Sequence, residues 1–358
     1  MRLPRITADE PQIDMDKLQE MVDYAYANGV NYFDTAYPYH KGLSELAVGQ
    51  ALEKYPRESF FLADKMPGWE VKTLEDADRI FEEQLKKCRV EYFDFYLCHA
   101  LGEENYKIYR EIDIYGLLRR KKAEGKIRHL GFSSHADVAL LEEIAGAHEW
   151  DFAQIQLNYL DWTMQNAKKQ YEILTSHGLP CIIMEPVRGG ALATLCKSGV
   201  DVLRAQEPDS TPASWAIRFA ASLPNVMTVL SGMTTMEHMR DNVSTMSPFR
   251  ALSEQETGML FEVAELYKKS RTVPCTGCRY CMDCPSGVDI PEMFALYNRY
   301  MLTEDEDALL AAYKAVQDSK YAKHCVECRA CTANCPQGID IPERLKEVAQ
   351  LMEKLTKE

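Results

Sequence analysis

The sequence predicts an α/β fold over its first two thirds and a small, cysteine-rich helical module at its end. Short apolar runs rich in β-forming residues alternate with amphipathic helical segments from residue 16 to about 245, which predicts a parallel sheet. The units recur about every thirty residues, which favours a (β/α)8 TIM barrel over a doubly wound sheet. No Gly-x-Gly-x-x-Gly segment follows a predicted strand, which also favours the barrel.

Seven segments are predicted as strands: Val30–Asp34, Phe60–Lys65, Phe93–His99, Ile127–Ser133, Phe152–Gln156, Cys181–Met184 and Val226–Leu230. Helical periodicity between them covers Leu74–Arg89, Asp113–Glu124 and Asp137–Ala147. A closed barrel of this type has eight strands, and before residue 15 only Met1–Leu3 has any strand character. We therefore expect the first strand to be missing, either because Met1 is an internal start or because the sheet has two open edges.

Eight of the twelve cysteines form two runs, Cys275-x2-Cys278-x2-Cys281-x2-Cys284-Pro and Cys325-x2-Cys328-x2-Cys331-x3-Cys335-Pro. This spacing is typical of two-cluster ferredoxins, in which the fourth cysteine of each run binds the other run's cluster. Structural zinc is the alternative, but two Cys-x2-Cys pairs suffice for zinc, and the third cysteine stays unexplained. We expect two [4Fe–4S] clusters, with cross-ligation by Cys284 the open point because its gap is one residue shorter.

An internal duplication supports a single two-cluster module. The segment Cys284–Glu292 recurs as Cys335–Glu343, 51 residues later. Each copy places Asp and then Pro before a helical segment, as a cap and a first-turn residue. We expect the insert Pro291–Tyr321 to be wholly helical. The predicted domains are a barrel over 1–246, a connecting segment over 247–270 with a helix at Ser253–Lys268, and an α-helical dicluster ferredoxin-like domain over 271–358.

The composition disfavours several classes of binding partner. The net charge of −14 disfavours nucleic acid and anionic membranes. The hydrophobic content of 46% and the charged content of 27% are ordinary for a soluble globular protein. No apolar run is long enough to span a bilayer, and the first residues lack the apolar stretch of a signal peptide. We expect a cytoplasmic protein without disulfides.

Polar side chains recur at the ends of the predicted strands. Asp34 ends the first, Lys65 the second and His99 the third, and Tyr39 follows Asp34 by five residues. The carboxyl ends of barrel strands meet at one face, where barrel enzymes carry out their chemistry. A carboxylate, an ammonium, an imidazole and a phenol that converge there suit proton transfer to a carbonyl oxygen.

At these positions the sequence resembles the aldo-keto reductase superfamily, over residues 1–245. The motifs that carry the resemblance are Asn31–Ala36 with Tyr39, Asp64–Lys65, Cys98–His99, Gly131–Ser133 and Gln154. It implies a catalytic tetrad of Asp34, Tyr39, Lys65 and His99, with Tyr39 as the general acid for a carbonyl that receives hydride from a nicotinamide. Lys65, held by Asp34, is expected to lower the pKa of the phenol, and His99 to orient the carbonyl.

The resemblance also implies a cofactor site. Ser133, Ser134 and Gln154 are expected to hold the nicotinamide carboxamide. The loop Ser231–Asn242, with Gly232 and Asn242, is expected to hold the adenosine phosphate. Met184 stands where many members have a tyrosine that stacks on the nicotinamide. Residues 231–235 lack the lysine and arginine that bind a 2′-phosphate in many members, so the choice between NADPH and NADH stays open.

Three functions fit this combination. The first is a carbonyl reductase for a small aldehyde or ketone, with structural or redox-sensing clusters. The second is an electron-transfer component that links the barrel site to an external ferredoxin or flavoprotein, because hydride carries two electrons whereas each cluster passes one. The third is a non-catalytic barrel with a cluster-based docking module. The complete tetrad favours an enzyme.

Overall fold

The computed structural model describes residues 2–7, 12–282 and 284–357. The chain divides into two compact units. The first consists of the chain up to Pro186 together with Ile217–Ala251, and the second of Val187–Ala216 together with the chain from Leu252 onward. The domain boundaries that the sequence predicts remain predictions. In the described part of the chain, no helix combines the length and the apolar composition required to cross a bilayer.

The first unit contains a sheet of seven parallel strands that curls into a half-barrel. The strands are β1 Tyr32–Asp34, β2 Phe61–Met66, β3 Phe93–Leu101, β4 Ile127–Ser134, β5 Phe152–Gln156, β6 Cys181–Met184 and β7 Val226–Val229. Their spatial order is their sequence order, as in a barrel and unlike the reversal in a doubly wound sheet. β1 and β7 form the two edges among the described strands, and Leu3 lies outside any strand.

The helices are α1 Met15–Ala27, α2 Ser44–Leu52, α3 Leu74–Cys88, α4 Glu103–Ile112, α5 Ile114–Ala123, α6 Val138–Ala147, α7 Asp161–Met164, α8 Ala167–Ser176, α9 Lys197–Gln206, α10 Pro212–Ala221, α11 Met236–Met246, α12 Glu254–Lys269, α13 Ile290–Thr303, α14 Glu306–Ala315 and α15 Ile341–Lys357. Local chemistry sets where several of them begin. Asp14, Thr73 and Asp137 each accept a hydrogen bond from a backbone N–H in the first turn that follows, which is the usual N-cap arrangement.

The alternation of side chains along the strands builds the interior of the sheet. Ala63, Phe95, Leu97, Phe152 and Ile182 form one buried cluster. Because side chains alternate with a period of two, the next inward residue on several strands is a polar one at the carboxyl end. One close approach requires glycine: a Cβ on Gly131 would lie 2.5 Å from the carbonyl oxygen of Phe152 on β5.

The second unit packs its helices around an apolar core that includes Val288, Phe294, Leu309 and Leu345. The prediction of a helix before the cysteines is confirmed, since α12 begins with a capping box between Ser253 and Glu256. The prediction of a wholly helical insert is wrong in one respect.

Two α-helices, α13 and α14, cover most of the insert between the repeated segments, and a break separates them. Glu304 adopts a left-handed conformation with φ 55°, which ends α13. Asp305 then caps α14 through the backbone N–H of Ala308. The capping chemistry of Asp305 therefore divides the insert, and sequence periodicity did not reveal this break.

The internal duplication extends to the backbone. Left-handed residues occur at matching places in the two copies: Gly277 and Glu327, Arg279 and Arg329, Gly287 and Gly338. The ion pairs match as well, with Arg279 3.1 Å from Asp289 and Arg329 3.4 Å from Asp340. The two copies thus share these left-handed positions and the arginine–aspartate pair.

Candidate functional site

The four residues of the expected tetrad lie together at the carboxyl ends of the first three strands. The fully buried Lys65 Nζ is 2.6 Å from Asp34 Oδ1 and donates to the carbonyl oxygen of Thr35 at 2.7 Å. The same Nζ is 5.2 Å from the centre of the Tyr39 ring. The ring centres of Tyr39 and His99 are 6.0 Å apart, in an edge-on arrangement.

The pKa of the Tyr39 phenol is raised above its ordinary value, opposite to the expected direction. Burial is the main cause, and the negative charges of Asp34 and Glu185 act in the same direction. The ammonium of Lys65 lies 5.2 Å from the centre of the tyrosine ring and is paired with Asp34, and the pKa of the phenol remains raised beside it. The phenol is therefore fully protonated at neutral pH, as a proton donor must be.

His99 is a neutral imidazole. Burial holds its pKa well below the ordinary value, and the positive charge of Lys65 acts in the same direction. Its backbone N–H donates to the Tyr109 hydroxyl at 2.9 Å, which anchors the residue. Within the described structure, Nδ1 of the ring is buried without a hydrogen-bond partner. The ring of Trp69 lies 5.1 Å from that of His99, so an aromatic wall borders this polar atom.

A buried network behind Lys65 was missed by the sequence analysis. Gln84 Nε2 donates to the carbonyl oxygen of Lys65 and to Glu45 Oε1, both at 3.0 Å. Asp64 Oδ1 accepts from the backbone N–H of Lys65 at 2.8 Å. Burial raises the pKa values of Asp64 and Glu45. A glutamate in the otherwise apolar stretch Glu45–Val48 was the available signal for a buried, functionally placed carboxylate.

The residues predicted to hold the carboxamide differ in whether their side-chain oxygen atoms already have hydrogen-bond partners within the protein. Ser133 Oγ accepts from the backbone N–H of Ala100 at 2.8 Å, and Ser134 Oγ donates to the carbonyl oxygen of Leu101 at 2.8 Å. Gln154 is buried, and its Oε1 has no hydrogen-bond partner among the described residues. Gln154 therefore offers an unused buried acceptor, which fits the N–H of a carboxamide.

The loop after β7 makes different contacts. Asn242 Nδ2 donates to Ser231 Oγ at 2.8 Å. A Cβ built on Gly232 would lie 2.9 Å from Cγ of Arg2, and Thr234 Oγ1 donates to the carbonyl oxygen of Arg2 at 3.1 Å. Within the described part of the chain, these contacts of Gly232 and Asn242 do not involve the tetrad. Their assignment to the adenosine phosphate remains a prediction.

In the second unit, one cavity is lined by three cysteines of the first run and by the last cysteine of the second run: Cys275, Cys278, Cys281 and Cys335. The pKa of Cys275 is raised to about 11 and that of Cys281 to about 12, mainly by burial, and the Cys335 thiol acts in the same direction. Ile290, Phe294 and Ile341 give the cavity apolar walls.

Three of the other cysteines, Cys284, Cys325 and Cys331, lie within electrostatic range of one another. Burial raises the pKa of Cys331, and Cys325 and Cys284 act in the same direction. Cys284 thus lies within electrostatic range of the second run, despite the shorter gap that precedes it. Among the described residues, no three metal-binding side chains converge as the ligands of a single ion do. In a four-iron cube each cysteine binds a different iron atom, so the Sγ atoms of the four cysteines lie farther apart than the ligands of a single ion.

Two family models match the chain. The model of the aldo/keto reductase family matches residues 5–265. The model of the 4Fe-4S dicluster domain matches residues 274–339. The first match covers most of the chain and contains all four tetrad positions. The second contains all eight cysteines of the two runs.

Curated proteins and solved structures agree with these matches. The NADH-specific methylglyoxal reductase of Escherichia coli is 26% identical over 302 residues, covering 72% of this chain and 89% of that protein. The L-galactose dehydrogenase of Arabidopsis thaliana is 23% identical over 260 residues, covering 65% and 79%.

Solved structures show the same fold at lower identity. The holo form of an aldo-keto reductase from Bacillus halodurans superposes with a TM-score of 0.60 at 21% identity, over 73% of this chain and 91% of that one. An aldo/keto reductase from Brucella melitensis gives 0.57 at 18% identity, over 73% and 92%. The chain belongs to the aldo/keto reductase family and carries a 4Fe-4S dicluster domain of the ferredoxin type towards its carboxyl terminus.

Proposed function

We propose that this protein reduces a small aldehyde or ketone with a nicotinamide cofactor, and that Tyr39 is the general acid. The observation that carries the proposal is the arrangement of a protonated, half-buried phenol and a buried, neutral imidazole, 6.0 Å apart between ring centres, beside the Lys65–Asp34 ion pair. The names of the methylglyoxal and glyoxal reductases among the relatives support 2-oxoaldehydes as a substrate class.

Each residue of the tetrad has a distinct task in this proposal. A bound reduced nicotinamide would supply the hydride to the carbonyl carbon. Tyr39 holds the proton for the carbonyl oxygen, and its raised pKa keeps that proton in place until negative charge develops. His99 orients the oxygen through its neutral ring. Lys65, fixed by Asp34 and by Thr35, stabilises the phenolate that remains after transfer.

The cofactor assignment is part of the proposal. Gln154 would receive the carboxamide N–H at its unused Oε1, and Ser133 and Ser134 would complete that side of the site. The loop with Gly232 and Asn242 would face the adenosine phosphate. Residues 231–235 contain neither lysine nor arginine, and one relative is named NADH-specific. Both facts support NADH over NADPH.

The cysteines would hold two [4Fe–4S] clusters in crossed sets. Cys275, Cys278, Cys281 and Cys335 form the first set, and Cys284, Cys325, Cys328 and Cys331 form the second. The clusters would supply one-electron transfer, a structural core or redox sensing. The shared cavity of the first set and the position of Cys284 near Cys331 support this crossing. An external ferredoxin or flavoprotein is the corresponding electron partner.

The decisive test of the reductase is Tyr39→Phe in anaerobically purified protein, with methylglyoxal as substrate and NADH oxidation as the readout. Loss of the general acid should lower kcat/KM by about 10²- to 10⁴-fold. Tyr37→Phe is the matched control, since its ring lies 4.2 Å from Lys87 Nζ rather than beside His99. Unchanged turnover in Tyr39→Phe would refute the assignment.

Electron transfer by the clusters is a second candidate function, supported by the presence of two complete cysteine sets. Titration of the anaerobic protein with NADH alone distinguishes it from the first. If the clusters are connected to the nicotinamide, their visible absorbance should bleach during the titration. Carbonyl reduction without bleaching would leave the clusters a structural or sensing role.

A further inference from the structure

Arg188 is a buried cation in the cysteine-containing unit. It lies in the segment that follows β6, and its relative exposure is 1%. Within the described part of this unit, it is the only lysine or arginine that is buried. A buried charge interacts strongly with its surroundings because little water screens it. The electrostatic effect of Arg188 therefore depends on the groups that surround it.

The segment of Arg188 reaches both cysteine runs. Arg188 Nη2 is 3.4 Å from Oε1 of Gln337, two residues beyond Cys335. Gly189 packs so tightly on the backbone beside Cys275 that a Cβ at this position would lie 1.8 Å from the carbonyl oxygen of Thr276. Gly189 also has φ +65°, which favours glycine. The Arg188 segment thus contacts the Gln337 side chain near Cys335 and the Thr276 backbone next to Cys275.

This geometry places the cation at the wall of the first cysteine cavity. Gln337, which Arg188 contacts, and Thr276, on which Gly189 packs, both line the cavity of Cys275, Cys278, Cys281 and Cys335. Arg188 makes further contacts in the structure. A buried positive charge at this wall favours negative charge at the first cysteine set.

The two cysteine sets differ in the cations that lie near them. Each has one exposed arginine at the repeated position, paired with an aspartate: Arg279 with Asp289, and Arg329 with Asp340. These pairs match, and solvent screens them. Near the second run, Lys323 is also exposed and paired with Asp318. The buried Arg188 is the feature that breaks the symmetry of the duplicated module.

We propose that Arg188 raises the reduction potential of the cluster held by Cys275, Cys278, Cys281 and Cys335 above that of the other cluster. The inference rests on the cluster assignment proposed above. One-electron reduction adds a negative charge to a group that is already anionic, and a buried neighbouring cation stabilises the reduced form. An electron that enters the pair therefore settles on the cluster beside Arg188.

The test is a redox titration of the anaerobic holoprotein with dithionite and mediators, followed by electron paramagnetic resonance. The wild-type protein should reduce in two separate steps. In Arg188→Gln, the step at the higher potential should move to a more negative value, with the equilibrium constant for reduction lowered about tenfold, or about 59 mV. The other step should stay in place. Arg188→Lys retains the charge and should preserve the separation.

The matched control is Arg329→Gln, which removes an exposed, paired arginine at the second set and should leave both midpoints nearly unchanged. A single reduction step in the wild-type protein overturns the inference whether or not the variants fold. So does an unchanged upper midpoint in Arg188→Gln that retains all its iron and sulfide. Absence of two clusters from the wild-type protein would instead refute the underlying cluster assignment, which iron and sulfide analysis reveals separately.

Discussion

The two candidate sites of this protein are organised in different ways. In the barrel unit, the functional side chains are held by one another and by the strands: Lys65 is fixed by Asp34 and Thr35 at 2.6 and 2.7 Å. In the cysteine unit, the first run lies in a segment with no helix or strand over residues 271–282, and two of its thiols, Cys275 and Cys281, have raised pKa values.

This difference shows how each site acquires its geometry. Strand ends and a buried ion pair preorganise the barrel site before any ligand arrives. Thiols with raised pKa values must lose protons before they bind metal, so assembly of the cysteine site depends on the metal itself. A single substitution in the cysteine site should therefore affect the assembly of that site. A single substitution in the barrel site should instead affect the balance of its buried charges.

Removal of one cluster ligand should have the largest effect. We expect Cys335→Ser to eliminate the cluster of the first run, and Cys284→Ser that of the second, so that each variant loses about half of its iron. Cys196→Ser is the control, because this cysteine of the same unit lies outside both runs. Iron and sulfide per chain are the measurements. Loss of the first-run cluster in Cys284→Ser would contradict the crossed arrangement.

Removal of one charge from the barrel site should destabilise the fold. Asp34→Asn leaves the ammonium of Lys65 fully buried without its counterion, which should cost about 3–5 kcal/mol of unfolding free energy. Thermal and urea unfolding followed by circular dichroism provide the measurement. The control is Lys54→Met. Lys54 forms an exposed ion pair with Asp23 at 2.7 Å, and loss of this pair should lower the unfolding free energy by at most about 1 kcal/mol. Equal losses in the two variants would contradict the preorganised ion pair.

The smallest effect concerns pH and the barrel unit. Burial lowers the pKa of His135 from 6.5 to about 4. Between these values the unfolded chain binds a proton that the folded chain does not, so the contribution of His135 to stability is lost as the pH falls below 6.5. In His135→Asn, the free energy of unfolding should fall less steeply from pH 6.5 to pH 4. The difference in slope from the wild-type protein should correspond to at most about one bound proton.

Urea midpoints at several pH values measure this slope. Asp64 and Glu45, whose pKa values burial raises, bind protons in the folded state and act in the opposite direction. Only the difference between the wild-type protein and the variant isolates His135. Parallel pH profiles would show that His135 titrates with an ordinary pKa in the folded protein.

Much of the fold followed from local pattern. The predicted bounds of β5 and β6 coincide with the observed ones, and those of the other strands differ by at most two residues at either end. Strand alternation also placed Asp34, Lys65 and His99 correctly at one end of the sheet. The break at Glu304 was not predicted, because helical composition continues across it; in the structure the left-handed Glu304 and the capping Asp305 mark it.

The sequence by itself predicted the parallel strand order and the two cysteine runs, since periodicity and motif spacing are local properties of the chain, and its resemblance to the aldo-keto reductases implied the tetrad of Asp34, Tyr39, Lys65 and His99. The tertiary structure decided the direction of the Tyr39 pKa shift, the placement of Cys284 near Cys331, and the position of Arg188 beside Gln337, 149 residues away. Burial and electrostatic neighbours arise from contacts between distant segments, and spacing along a single chain does not encode them.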